Sequence, residues 1–257
     1  MDRQGNLGIQ PIFVALYLPL ISPQPVLRKP RHIHQYGTDA LLLEWEPIID
    51  IDISHGVHTY AEILRTHPGV TECIPAYASL LITYRGDRQY GERLRDAIYG
   101  LRPTPRPSSA GYLHELPVCY GDSYGPDLRW VSEYTGLTAG EIARIHASTV
   151  YTLYFLGYRP GFGFMGQVDK RLRVPRLSTP RTRVPAGSVG LAGKQTGIYP
   201  DDAPGGWQLI GRCPLPLIGS STADLTRMRA GDRVRFRAIP PEDYEWLLHN
   251  PDPWPVR

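Results

Sequence analysis

Between Thr179 and Arg212 the chain reads TPRTRVPAGSVGLAGKQTGIYPDDAPGGWQLIGR, with four prolines and seven glycines. Proline removes a backbone donor and fixes φ, while glycine weakens both helix and strand interiors. No helix of useful length fits here, and any strand must be short and end in a tight turn. A β-barrel or sandwich with many corners satisfies that pattern. The same stretch carries Arg181, Arg183, Lys194, Gln195, Tyr199, Trp207 and Gln208, side chains suited to a recognition surface. It reads either as a rigid loop set that holds something or as plain barrel corners.

Upstream, the punctuation changes. His32–Tyr36 and Ala40–Trp45 read as two strands around Gly37-Thr38-Asp39, and Val70–Ala76 and Ser79–Tyr84 as a second pair around Tyr77-Ala78. His58–Thr66 has an amphipathic helical spacing, with Tyr60, Ile63 and Leu64 on one face. Tyr90–Leu101 repeats it with Leu94, Ile98 and Leu101. Strand, strand, helix, twice over, predicts a small α+β sandwich. The proline-rich run RPTPRPSS at 102–109 reads as a linker. Beyond it come a strand at Tyr112–Tyr120, a helix ending at Thr135, and a helix from Thr138 with a capping box to Glu141. Short strands then run to a last one at Asp232–Ile239. The expected divisions are a leader at 1–30, an N-terminal α/β domain at 31–101, a linker at 102–110, a barrel at 111–240 and a tail at 241–257.

Composition narrows the function. A formal charge of +3 with scattered Lys and Arg gives no basic stripe for nucleic acid. Three well-separated cysteines with no CxxC predict free thiols in a reducing compartment. The pairs His32/His34 and His55/His58 lack carboxylate or Cys partners at metal-site spacing, so no metal site is expected. The apolar run Ile9–Ile21 contains Pro11 and Pro19 and is too short to span a bilayer. A cytoplasmic protein with no membrane partner is expected.

Two motifs fail on inspection. The run from Ala186 to Thr196 imitates a phosphate-binding loop, but Gln195 stands where the Mg²⁺-binding Ser or Thr belongs. No helix follows to hold phosphate at its N-terminus. Ser188 likewise lacks the strand-turn-helix of a nucleophile elbow. His146, near a helix end, is a candidate general base or a histidine that interacts with the helix C-terminus.

A longer constellation carries more information. FLGYRPGFGFMG at 155–166 leads into TPRTRVPAGSVG at 179–190, then QTGIYP at 195–200 and PGGWQLIGR at 204–212. With YGTDALL at 36–42 and IPAYASL at 74–80, this resembles the allophanate hydrolase subunit 1 family, which includes KipI and the B subunits of 5-oxoprolinase. The likeness covers about residues 32–239. Arg159, Gly163-Phe164-Met165 and Lys194 depart from the residues common in relatives and leave the substrate open.

The resemblance implies an α+β fold: a small N-terminal α/β sandwich of ferredoxin-like type, then a cyclophilin-like β-barrel. It implies one component of a heteromeric ATP-dependent amidohydrolase, 5-oxoprolinase. Its expected partners are a C-type component, similar to allophanate hydrolase subunit 2, and an A-type component of the LamB/YcsF kind. Two other roles come with the family: half of a urea carboxylase-type carboxyltransferase, or an inhibitor whose partner is a sensor histidine kinase. ATP with Mg²⁺ is expected at the level of the complex and none on this chain alone, since it shows no complete nucleotide site and no nucleophile–base pair.

Candidate catalytic residues are Arg181, Arg183 and His146. Two residues apart in an extended segment, Arg181 and Arg183 are expected to point to one side with an anion or a buried carboxylate between them; the alternative is that they lie in solvent or in structural salt bridges. Gln195 and Tyr199 offer hydrogen bonds, and Pro160, Gly161, Phe162, Gly205, Gly206, Trp207 and Arg212 complete the candidate substrate surface. Trp207 reads equally as core or as a partner contact.

Overall fold

The structure, a computed structural model, describes residues 27–103, 111–219, 226–250 and 254. Its first part contains strands β1 (His32–Gln35) and β2 (Ala40–Glu44), helix α1 (Ile51–Arg65), strands β3 (Val70–Pro75) and β4 (Ser79–Tyr84), and helix α2 (Arg88–Gly100). The strands form one antiparallel sheet in the order β1-β2-β4-β3. This ββαββα connectivity differs from the βαββαβ order of a ferredoxin-like unit. Two hairpins laid side by side are the shorter route for a chain whose turns fall at Gly37 and Tyr77-Ala78.

Helix α1 begins earlier than its periodicity suggests. Asp50 caps it, its carboxylate accepting from the backbone N–H groups of Asp52 and Ile53. Gly56, which reads as a breaker, is required by packing: a β-carbon there would meet the Arg28 carbonyl oxygen at 2.6 Å. That carbonyl also accepts from the Trp45 indole at 2.7 Å. Residues 27–30, placed by sequence in the leader, therefore belong to this unit. One face of α1, with Ile53, Val57, Tyr60 and Leu64, covers Leu41, Leu43, Leu80 and Ile82 of the sheet. Each such side chain contributes about 1.5–3 kcal/mol of burial. Arg102, assigned to the linker, donates to the carbonyls of Tyr99, Gly100 and Leu101 and so closes the end of α2. Residues 104–110 lie outside the described residues.

The second part is a closed barrel. Its strands are β5 (Leu113–Tyr120), β6 (Val150–Leu156), β7 (Gly163–Gly166), β9 (Ser188–Ala192), β10 (Gln195–Ile198), β12 (Gln208–Arg212) and β13 (Arg233–Ala238). They close in the order β10-β7-β6-β13-β5-β12-β9. The last strand lies parallel to the first, and the other neighbours are antiparallel. Leu116, Tyr151, Leu153, Val189, Leu191 and Phe236 help fill the interior. Strands β8 (Arg181–Val184) and β11 (Ala203–Gly205) form a separate two-stranded ribbon.

Helices α3 (Leu128–Thr135) and α4 (Ala139–Ser148) pack on the barrel, and Thr138 and Glu141 complete both bonds of the capping box. Pro241–His249, expected as tail, form helix α5. Pro241 sits near its start, where a missing N–H costs nothing, and Glu242 and Asp243 suit the positive end. Tyr244 and Leu247 pack on Cys119 and Ile239. Cys73, Cys119 and Cys213 are free and buried. Among the described residues no helix is long and apolar enough to cross a membrane, and no His/Cys/Asp/Glu cluster could hold a metal ion.

The sheet meets the barrel at β6 and β7. His58 Nε2 hydrogen-bonds with the Tyr154 carbonyl at 2.7 Å, and Gln167 donates to the Ile49 carbonyl at 2.8 Å. Tyr77, at the tip of the second hairpin, packs against Tyr154, Phe155 and Phe164. This seat places the hairpin behind the wall of the cleft described next.

Candidate functional site

The repeated aromatics of 155–164 and 199–207 converge on the outside of the barrel, where Phe162, Tyr199, Ala203, Trp207 and Leu209 form their own buried cluster. Phe162 meets Tyr199 and Trp207 edge to face, with ring centroids 5.2 and 5.5 Å apart. Glycines make room for the indole. Gly190 and Gly197 face each other across β9 and β10, and a β-carbon on either would lie within 3.3 Å of Trp207. Mid-strand glycines otherwise weaken a sheet; close approach of Trp207 accounts for Gly190, and the Gly163 carbonyl, 2.8 Å from such a β-carbon, together with the ring accounts for Gly197.

In front of the cluster opens a cleft of about 290 Å³, lined by Tyr158, Phe162, Phe164, Arg176, Pro180, Tyr199, Pro204, Gly205, Gly206 and Trp207. This lies near the lower limit for small-molecule pockets. Tyr158 forms its rim with φ at +70°, a conformation costing a non-glycine residue about 1–3 kcal/mol. Its hydroxyl donates to the Pro204 carbonyl at 2.6 Å and holds the ring across the opening. Burial pushes the Tyr199 hydroxyl up to about 12, with a Trp207 backbone hydrogen bond acting against it, so this phenol stays neutral. The Tyr77 hydroxyl, behind Phe164, is buried without a hydrogen-bond partner among the described residues.

Charge at this face is decided by four arginines. Arg181 reaches Asp127 at 2.5 Å and the Trp207 carbonyl at 3.4 Å. Asp127 also accepts from the Leu209 N–H at 2.6 Å, so this pair ties the chain around Trp207 to the start of α3. Arg183 reaches Asp202 at 2.6 Å, and Asp202 also accepts from the Ala186 N–H. Arg159 pairs through both Nε and Nη2 with Asp201. The expectation that Arg181 and Arg183 share one anion is therefore corrected: each has its own carboxylate. Two like charges two residues apart are relieved more cheaply by separate partners than by one shared ligand.

Arg176 is the exception. It is exposed, its Cζ lies 5.9 Å from the Trp207 ring centroid, and among the described residues its one polar contact is a 3.4 Å bond to the Gln195 side-chain oxygen. It has no carboxylate partner among the described residues. Of the candidate surface, Phe162, Tyr199, Gly205, Gly206 and Trp207 line the cleft, and Gln195 reaches Arg176 beside it. Pro160 and Gly161 line an adjoining depression with Tyr158 and Arg159.

Two candidates lie elsewhere. Arg212 donates to the Ala186 carbonyl at 2.9 Å and braces a turn. His146 is sealed inside the barrel, its ring stacked 4.5 Å from Phe236. Its Nε2 lies 2.9 Å from Thr196 Oγ1, which donates onward to the Gly190 carbonyl, and its Nδ1 lies 2.8 Å from the Tyr120 hydroxyl. Since Thr196 is donating, Nε2 carries the proton and Nδ1 accepts from Tyr120. Burial holds its pKa down to about 3. It is a satisfied core histidine, out of reach of the cleft.

Tyr158, Phe164, Arg176, Pro180 and Pro204 were missed by sequence reasoning. Tyr158 and Phe164 stand inside the quoted family stretch among other aromatics. Arg176 stands in RLRVPRLSTPRTR, where several arginines look alike and nothing local separates them.

The chain thus joins a four-stranded sheet and a closed barrel that carries an outward aromatic cleft. Residues 31–227 match the family described as carboxyltransferase domain, subdomain C and D, and the chain belongs to it. Two bacterial proteins named as the B subunit of 5-oxoprolinase are similar to it. The Bacillus subtilis protein is 38% identical over 232 residues, 82% of this chain and 94% of its own. The Escherichia coli protein is 37% identical over 207 residues, 78% of this chain and 92% of its own. The crystal structure of TTHA0988 shares 34% identity with a TM-score of 0.70 over 79% of this chain. The matched region is 40% of TTHA0988, so this chain corresponds to less than half of that protein.

Proposed function

We propose that this chain is the B-type component of a 5-oxoprolinase, opening 5-oxoproline to glutamate at the expense of ATP. It works with a C-type partner and an A-type partner of the LamB/YcsF kind. The observation that carries this reading is the near end-to-end likeness to two proteins bearing the B component's name. The ring amide is a poor electrophile. Phosphorylation of its carbonyl oxygen by ATP would activate the ring carbon; water would add there, the ring C–N bond would break with the amine leaving to give an acyl phosphate of glutamate, and a second water would release glutamate and phosphate.

Residues of this chain suit the binding half of that task. Aromatic walls take a flat five-membered ring out of water, and a cation at the lip suits its carboxylate. Arg181, paired with Asp127, holds the chain around Trp207. Nucleotide and Mg²⁺ are assigned to the complex, in keeping with the failed phosphate-loop match around Gly193-Lys194.

Co-expression with the C-type and A-type partners tests the reading. The expected result is glutamate release that requires 5-oxoproline, ATP and all three proteins, with the chain alone inactive. A pure, correctly assembled complex that releases no glutamate, or robust turnover by the chain alone, overturns it.

A further inference from the structure

The residues around the cleft differ in one respect. Arg159, Arg181 and Arg183 are each neutralised by an aspartate, Asp201, Asp127 and Asp202 respectively. Arg176 lines the cavity with no such partner among the described residues, its guanidinium beside the Trp207 indole. We propose that Arg176 is the residue that takes the ligand's carboxylate, and so sets the cleft's preference for small anionic ring compounds over their neutral analogues. This rests on the 5-oxoprolinase reading only for the identity of the ligand, 5-oxoproline.

The alternatives fail on chemistry. Aromatic cages take organic cations when their rim is neutral or acidic. No lining residue here is acidic, and Arg176 repels a cation. A phosphate group is ordinarily held by a nest of backbone N–H groups or several cations. This lining offers one guanidinium, without a carboxylate partner among the described residues, and prolines at two of its wall positions. A carboxylate needs only the two parallel N–H donors that a single guanidinium presents. With its Cζ over the Trp207 ring, 5.9 Å from the centroid, the guanidinium can pair its N–H edge with an acceptor and keep that contact. The long 3.4 Å bond to Gln195 is weak and readily exchanged for a charged acceptor.

The role is one of binding. Loss of Arg176 should raise the KM for 5-oxoproline and leave kcat within a few-fold, the signature of an interaction made equally in ground and transition states. Because the side chain is exposed, its removal leaves no buried group unpaired, and the variant should melt as the parent does.

The experiment measures binding of 5-oxoproline, its neutral carboxamide and inorganic phosphate to the chain and to the co-purified complex, by calorimetry and by Trp fluorescence. Variants are Arg176→Ala and Arg176→Lys, with Arg129→Ala as a control for loss of a distant surface cation. The expected pattern is binding of 5-oxoproline over its amide by about 10- to 100-fold, lost in Arg176→Ala and partly kept in Arg176→Lys. Equal binding of acid and amide, unchanged binding in Arg176→Ala, phosphate as the sole ligand, or no binding to either chain or complex each overturns the assignment. Arg176-dependent binding by a complex without 5-oxoprolinase activity would sink the proposed function and leave this inference standing.

Discussion

The barrel carries two aromatic clusters, one inside and one outside, and they treat their polar groups differently. Inside, Tyr151 and Phe236 surround His146, whose two nitrogens are bonded to Tyr120 and Thr196. The network closes on the Gly190 carbonyl and no polar atom is spare. Outside, Phe162, Phe164 and Trp207 face a cleft whose cation has no counter-charge among the described residues. A closed network adds rigidity and a single conformation, whereas an open one keeps its interaction free energy for a ligand. The same residue types serve as core in one place and line an open cleft in the other.

The contrast breaks most visibly at His146. His146→Ala should cost about 3 kcal/mol or more, through a cavity beside Phe236 and unpaired hydroxyls on Tyr120 and Thr196. Its titration adds a pH signature. With a folded pKa of about 3 against about 6.5 unfolded, only the unfolded chain takes a proton as pH falls below about 6.5. Stability from this group is therefore complete at neutral pH and declines by about 1.4 kcal/mol per pH unit toward pH 3. Urea melts of wild type and His146→Phe at pH 7 and pH 5 should show a shallower loss in the variant. Equal slopes would mean that this imidazole is protonated in the folded barrel.

A smaller effect is expected at Asp127, which joins the outer cluster to α3. Its side chain is 12% exposed and that of Arg181 28%, so the pair is largely shielded. Asp127→Ala orphans the guanidinium and the Leu209 N–H together, and should cost about 2–3 kcal/mol. A changed Trp emission would report the loosened chain at Trp207. Wild-type stability with unaltered emission would show that Arg181 is not holding the frame.

The smallest change belongs to Arg183, whose side chain is 77% exposed. Arg183→Ala should lower stability by less than about 1 kcal/mol, because an exposed ion pair is screened by water and salt. Thermal melts in low and high salt check it. A larger loss, insensitive to salt, would make Arg183 part of the frame alongside Arg181.

Much of the fold was legible because its signals are local. The capping box at Thr138, the turns at Gly37 and Tyr77-Ala78, and the alternation of strands and helices each depend on a few neighbouring residues. Helix α1 starts at Ile51, ahead of the amphipathic spacing read from His58, and runs through Gly56, whose lack of a side chain admits the Arg28 carbonyl. Helix α5 was missed because Pro240-Pro241 reads as a stop, although proline also begins helices.

By itself the sequence determined that the C-terminal part is built from short strands with tight corners, and that aromatics and arginines crowd the stretch from Phe155 to Arg212. It also carried the motifs by which the family is recognised. Only the tertiary structure decided which arginines around the cleft meet an aspartate and which, among the described residues, does not. Arg181 meets its aspartate across 54 positions of chain and Arg159 meets Asp201 across 42, and such long-range pairings leave no trace in local spacing. Burial settled His146 in the same way, since a histidine near a helix end shows its neutral tautomer only when Tyr120 and Thr196 are brought to its two nitrogens.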